Sequence, residues 1–148
     1  MRLVIQRVAS ASVTVENKIV GEITKGLLVL TGFEHSDSNV DLKQVATKLI
    51  EMRIFPNQAG RFDLSVKDIN GEILLVPQFT LFADTTKGRR PDFFGAMEPK
   101  LASQKFDEFV KEVKTNSNLK VAQGIFGADM QVNLCNDGPV TIIYDSNI

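Results

Sequence analysis

Residues 26–33 read GLLVLTGF, and residues 72–84 read EILLVPQFTLFAD. Both are short runs that stay apolar without a helical or alternating period. A strand with one wet face alternates apolar and polar side chains, whereas a continuous run fits a strand buried on both faces. These runs therefore predict a sheet covered by other elements. Around them lie further strand-like pieces. Residues 2–8 (RLVIQRV) and 12–24 (SVTVENKIVGEIT) are rich in β-branched side chains, and the second turns at Glu16-Asn17-Lys18, as a hairpin does. Three more pieces fall near 120–123, 129–136 and 139–145, with a tight turn at Asn136-Asp137-Gly138-Pro139 between the last two.

Two segments carry the other period. Leu42, Val45, Ala46, Leu49 and Met52 recur at helical spacing, and Ser38 or a neighbouring polar residue can cap the start. Pro99 suits the first turn of a second helix, whose apolar face is Ala102, Phe106, Phe109, Val110 and Val113. Between the helices, 56–60 and 68–71 are turn chemistry, and 61–66 fits a short strand. The order is strands, helix, strand, helix, strands. It predicts one α/β domain over 1–148, a mixed sheet with two main helices packed on it. There is no internal repeat and no low-complexity segment.

Composition narrows the classes. Of 148 residues, 43% are apolar and 24% charged, an ordinary globular balance. No apolar run approaches the roughly 18 residues of a membrane span. The first residues break at Gln6 and Arg7, unlike a signal peptide. A cytoplasmic protein with no membrane partner is expected. The single Cys135 has no disulfide partner within the chain, and with one histidine, His35, it is too little for a usual zinc site. The net charge of −1 leans away from a general nucleic-acid binder, so any RNA contact has to be local. The best basic cluster is Lys87-Gly88-Arg89-Arg90, inside a long polar loop at 84–99.

The same scarcity nearly excludes a nucleophile–histidine–acid triad. His35 reads as a solvated loop residue, and Cys135 as a small buried residue of a strand. No Gly-rich phosphate loop is present. Two segments stay odd. In Val76-Pro77-Gln78-Phe79-Thr80-Leu81 the proline cannot donate to a ladder, so it marks a strand edge or end. Gln78 and Thr80 would share one strand face, lining either a pocket beside the long loop or a solvent-facing edge. In Asn136-Asp137-Gly138-Pro139-Val140-Thr141 the Gly-Pro bond is one of the few that adopts cis at a modest cost of about 0.5–1 kcal/mol. A cis bond there would hold its flanking carbonyls in a fixed direction, ready to accept from a substrate ammonium group.

Taken together, MRLVIQRV at the start, VPQFTLFAD at 76–84, KGRRPDF at 87–93, FGADM at 126–130 and NDGPVT at 136–141 resemble the D-aminoacyl-tRNA deacylase family, in family order and over essentially the whole chain. The resemblance implies that family's barrel-like mixed fold and a homodimer with active sites at the subunit interface. It implies hydrolysis of the ester between a D-amino acid and the terminal adenosine of tRNA, with mischarged glycyl-tRNA as a second substrate and no cofactor or metal. Gly138 and Pro139 would enter the partner's pocket, engage the substrate amino group and collide with an L-side chain, with Arg7 holding them. Gln78, Phe79 and Thr80 would form the active strand, and Phe126, Gly127, Ala128 and Met130 would line the adenosine and amino-acid pocket.

Thr80 has no histidine base in reach, so the division of labour this chain suits is different. Backbone N–H groups near Phe79 and Thr80 would hold the carbonyl oxygen, and a ribose hydroxyl of the tRNA would help activate water. One position departs from the family. Pro77 stands where serine is usual, as in an animal sister group of relaxed chirality, although the NDGPVT motif is intact. The competing expectations are therefore a deacylase of relaxed chirality, a tRNA-binding dimer without catalysis, and a structural dimer with no RNA role.

Overall fold

The computed structural model describes residues 1–147. Eight strands and two helices follow in the order β1 (Arg2–Val15), β2 (Lys18–Ile23), β3 (Gly26–Gly32), α1 (Leu42–Glu51), β4 (Phe55–Pro56), β5 (Phe62–Leu64), β6 (Glu72–Pro77), α2 (Pro99–Ser117), β7 (Val121–Gln123) and β8 (Gln131–Asp145). The main sheet runs β2-β1-β3-β6-β7, with β8 on the far side of β1. β3–β6 and β6–β7 are parallel, and the pairs made by β1 are antiparallel. β2 curls back against β6 and β7, so the mixed sheet is nearly closed and barrel-like. The expected α/β class with two main helices holds.

The two apolar runs are the centre of this arrangement. Leu27, Val29, Ile73 and Leu75 face the helices and pack with Val45, Leu49, Phe106 and Phe109. Leu28, Leu74 and Val76 face the barrel interior with Val8, Val13 and Ile23. A strand sandwiched in this way has no wet face, which is why the runs show no alternation. The side chain of Asp41 caps α1 by accepting from Gln44 N at 3.0 Å. The cap is thus a neighbour of Ser38, which itself lies in a 3-10 turn over His35–Asn39. Pro99 stands in the first turn of α2, as expected, and Asn118 closes it in the left-handed region.

Four local expectations are corrected. The pieces 2–8 and 12–24 are not separate at their start. One strand runs to Val15 and turns at Glu16-Asn17, both at positive φ, the geometry of a tight hairpin. The apolar stretch 72–84 is not one strand, because β6 ends at Pro77, which has no N–H to continue the ladder, and Phe79–Phe82 form a 3-10 turn. Third, 129–136 and 139–145 are one strand. Residues 137–140 bulge out of β8, since Gln6 pairs with Thr141 and Val8 already with Asn136. Cys135 is exposed rather than buried, in a stretch of β8 where Asn133 and Leu134 are exposed as well.

Candidate active site

The parallel strands β3 and β6 end side by side, with Thr31 opposite Pro77. Just beyond this end the chain must leave the sheet on both strands, and a cleft of 380 Å³ opens there. Such crevices at the carboxyl ends of parallel strands are where α/β sheets place ligands. Phe33, Phe93, Met97, Ala102 and Phe126 give it apolar walls, and Thr31, Gln78 and Glu98 its polar side chains. No lysine, arginine or histidine lines it.

The 3-10 turn over Phe79–Phe82 sits at its mouth. Gln78 N donates to Thr31 O at 2.8 Å, which fixes the turn to the end of β3. Gly32 makes that approach possible, because a Cβ there would lie 2.9 Å from Gln78 O and 3.2 Å from Leu81 Cβ. Arg2 holds the turn from the other side. Its Nη1 donates to Leu81 O at 3.0 Å, its guanidinium lies 5.0 Å from the Phe82 ring centre, and its Nη2 pairs with Asp145 at 2.9 Å. The first N–H groups of any helical turn have no partner within it. Those of Phe79 and Thr80 donate to no other described residue. The Thr80 hydroxyl accepts from Gln78 Nε2 and has no basic side chain as a hydrogen-bond partner among the described residues.

The loop of residues 84–96 forms the outer wall. Asp84 and Asp92 exchange backbone hydrogen bonds of 2.7 and 2.9 Å at its base. The Asp84 carboxylate also binds Thr86, and those hydrogen bonds, side chain first and then backbone, hold it below the usual aspartate range. Glu98 caps α2 by accepting from the N–H groups of Lys100 and Leu101, which likewise lowers its titration. Phe93 packs edge-on against Phe79, with ring centres 5.1 Å apart. Lys87, Arg89 and Arg90 at the exposed tip make no ion pair with a described residue.

Of the residues singled out from the sequence, Gln78, Phe79, Phe126 and Gly127 meet in the cleft. Thr80 is exposed beside it, on the 3-10 turn rather than on a shared strand face with Gln78. Ala128 and Met130 do not line it, and Met130 packs on the barrel-interior core with its Sδ beside Gly124. Arg7, Gly138 and Pro139 form a second cluster, outside this cleft. There the Gly138-Pro139 bond is cis, and both residues are exposed at the crest of the β8 bulge. The bulge is held firmly at its neck. Arg7, only 8% exposed, donates from Nε to Asp137 O at 2.9 Å and from Nη1 to Ile54 O at 2.7 Å. Asn136 Oδ1 accepts from Val140 N at 2.8 Å, and its Nδ2 donates to Thr141 Oγ1 at 3.0 Å. Gly138 has φ +136°, and a Cβ there would meet Arg7 Nη2 at 2.9 Å.

Arg2, Thr31 and Asn136 are structural parts of these clusters that sequence reasoning did not pick out. Only Asn136 carried a signal, its place in the NDGPVT motif. Among the described residues no group of acidic, histidine or cysteine side chains is arranged to hold a metal ion.

Comparison with known proteins fits this geometry. The family model described as D-Tyr-tRNA(Tyr) deacylase matches residues 4–145. The D-aminoacyl-tRNA deacylase of Flavobacterium psychrophilum is 53% identical over 146 residues, covering 99% of this chain and 97% of that protein. The enzyme of the same name from Thermosipho africanus is also 53% identical, with the same coverage. Among solved structures, the c-Myc DNA Unwinding Element Binding Protein superposes with a TM-score of 0.91 at 38% identity over 99% of both chains. A probable eukaryotic D-amino acid tRNA deacylase shares the fold, with a TM-score of 0.84 at 19% identity over 97% of both chains.

Proposed function

The chain belongs to the D-Tyr-tRNA(Tyr) deacylase family, and on that footing we propose that it hydrolyses the ester joining a D-amino acid to the terminal adenosine of tRNA. The observation that carries the mechanism is the pair of undonated N–H groups of Phe79 and Thr80 at the mouth of an apolar cleft. Water attacks the ester carbonyl, and the oxygen that becomes negative accepts hydrogen bonds from these two groups. They are fixed before the reaction by the ties to Thr31 and Arg2, so little reorganisation is needed when charge develops. The tetrahedral intermediate then expels the ribose oxygen, which takes up a proton. The neighbouring ribose hydroxyl relays the proton from the attacking water. Gln78 orients the Thr80 hydroxyl, and both position the substrate. Phe126, Gly127, Ala128 and Met130 shape the pocket for the terminal adenosine and the amino acid.

Chirality is read by the second cluster, supplied by the other subunit of a homodimer. Gly138 and Pro139 are exposed at a braced crest outside their own cleft, which suits a part that works in a neighbouring one. In that position their carbonyls accept from the substrate ammonium group and their backbone blocks an L-side chain, whereas a D-side chain or the hydrogen of glycine clears it. Mischarged glycyl-tRNA is thus a second substrate. The dimer reading has its own support. β8 has β1 as its sole strand neighbour among the described residues, and it exposes Leu134 and Ile143. A long edge strand carrying apolar side chains associates unless it is covered, and a second copy covers it symmetrically. The proposed place of action is the cytoplasm, where tRNA is charged.

Pro77 favours one variation on this reading. It removes an N–H and a hydroxyl next to Gln78, so the filter against L-substrates is less strict than the intact NDGPVT motif alone would set. The test of the mechanism is Thr80→Ala. With backbone donors at work, kcat falls by less than about tenfold, short of the 10²–10⁴-fold cost of a lost acid–base group. A folded Thr80→Ala variant that binds substrate but shows no deacylation would overturn the mechanism.

A further inference from the structure

The outer wall of the cleft carries an aromatic side chain that the mechanism leaves unused. Phe94 is 85% exposed. One exposed apolar residue on its own needs no explanation, but Phe94 has company. Phe79 and Phe93, themselves partly exposed, meet edge-on at the mouth of the cleft. Phe93 and Ala96, on either side of Phe94 in the chain, both line the cleft. Three phenylalanines thus share one rim. The backbone beneath Phe94 is held on both sides. Asp92 Oδ1 accepts from Phe94 N at 2.7 Å, just above the backbone pair between Asp84 and Asp92. Beyond it, Gly95 O accepts from His35 N at 3.3 Å and Phe33 O accepts from Met97 N at 3.0 Å. A flat apolar face presented on a fixed backbone loses little freedom when a partner covers it.

Charge says what kind of partner that is. Lys87, Arg89 and Arg90 are exposed on the same loop and make no ion pair with a described residue. The carboxylates of this loop, Asp84 and Asp92, accept from its own backbone N–H groups. Free cations beside an exposed ring fit a polyanion that also has flat apolar faces, which describes single-stranded nucleic acid: its bases stack on aromatic side chains and its phosphates pair with cations. No lysine, arginine or histidine lines the cleft, so the phosphates of a strand whose end lies inside must be met outside. A second copy of this chain fits less well, because a symmetric contact at this loop would set three cations against three more. We propose that Phe94 is a stacking residue for an unpaired base upstream of the terminal adenosine of tRNA, with the phosphates of that strand on Lys87, Arg89 and Arg90. This rests on the deacylase reading of the cleft. Stacking reads no hydrogen-bond pattern, so the ring positions the acceptor end without choosing among tRNAs.

The test is Phe94→Leu, which stays apolar and loses the ring, with Phe94→Tyr as the variant that keeps one. Three substrates are compared: the D-tyrosyl esters of adenosine, of a trinucleotide ending in adenosine, and of the same trinucleotide lacking its two upstream bases. On the full trinucleotide the KM of Phe94→Leu is expected to rise at least about fivefold, the lower end of one base–aromatic stack, with kcat unchanged. The wild type loses the same factor when the bases are removed, and it then no longer differs from Phe94→Leu. On the adenosine ester the two are alike, and Phe94→Tyr follows the wild type throughout. The slope of log KM against log salt stays the same in Phe94→Leu, because no charge has been removed. An unchanged KM on the full trinucleotide, or an equal rise on the adenosine ester, would overturn the proposal. So would a fall in the sedimenting mass of Phe94→Leu, which would mark the ring as part of a contact between copies. If the deacylase reading itself failed, the wild type would leave all three esters intact, while the anisotropy of a fluorescent trinucleotide would still report whether Phe94 holds its bases.

Discussion

Replacing Arg7 with methionine separates the brace of the β8 bulge from everything else. Methionine fills similar space along the aliphatic stem but donates no hydrogen bond. Two charged hydrogen bonds disappear, of 2.7 Å to Ile54 O and 2.9 Å to Asp137 O, with the 3.6 Å ion pair to Asp137. The bond to Ile54 is buried and leaves an unpaired carbonyl, a loss of about 1.5–3 kcal/mol. Asp137 is exposed, so water replaces most of the second bond, for about 0.5–1 kcal/mol more. The sum of roughly 2–4 kcal/mol lowers Tm by about 4–16 °C in a domain of this size. The functional consequence is larger in kind. With its neck unbraced, the crest no longer holds Gly138-Pro139 in one position, and the ratio of D- to L-deacylation falls at least about tenfold, which is 1.4 kcal/mol of selectivity. Arg7→Lys keeps the charge but not the forked donor and falls between. Thermal melts and parallel deacylation of D- and L-tyrosyl-tRNA read both effects. An unchanged D/L ratio in a destabilised Arg7→Met would refute the link between brace and selectivity, and an unchanged Tm would refute the brace.

Changing Lys87, Arg89 and Arg90 together to glutamine should raise KM for D-aminoacyl-tRNA. It should also flatten the slope of log KM against log salt by about 2, as expected for three lost contacts to single-stranded phosphates, while an aminoacyl-adenosine ester is hydrolysed as before. Salt-dependent kinetics on the two substrates check this. Glu72 links the start of β6 to its neighbours: Thr24 N donates to it at 2.7 Å and Lys120 pairs with it at 3.2 Å. Those bonds, the one from Thr24 first, hold its carboxyl below the usual glutamate range. A depressed folded value means the stabilisation is complete above roughly pH 4.3 and is lost as pH falls through the folded value. Glu72→Gln should therefore be less stable than the wild type at neutral pH, and the gap should narrow in acid, as urea midpoints from pH 7 down to pH 3 will show.

What the sequence made legible follows the physics of each segment. Runs such as GLLVLTGF declare a two-sided burial directly, and the helical periods at Leu42–Met52 and Ala102–Val113 announced both helices. The turn at Phe79 was hidden, because Phe79, Leu81 and Phe82 continue the apolar character of β6 while their backbone has already left the sheet. Only Pro77 marked the break. The continuity of β8 was hidden for the opposite reason: NDGP is turn chemistry wherever it occurs, and only the pairing to Gln6 and Val8 shows that the chain resumes the same strand. Cys135 looked buried by residue type, yet this stretch of β8 is exposed on both faces. The two site clusters were visible as motifs, and it was the family resemblance, not the residue types themselves, that implied a place outside its own cleft for Gly138-Pro139.

The most direct measurement is the paired deacylation assay on the purified wild-type protein, with D-tyrosyl-, L-tyrosyl- and glycyl-tRNA at equal concentration. Rapid release of D-tyrosine and glycine and much slower release of L-tyrosine are expected. Equal rates on the D- and L-substrates, or no release above the uncatalysed rate, would contradict the proposed function.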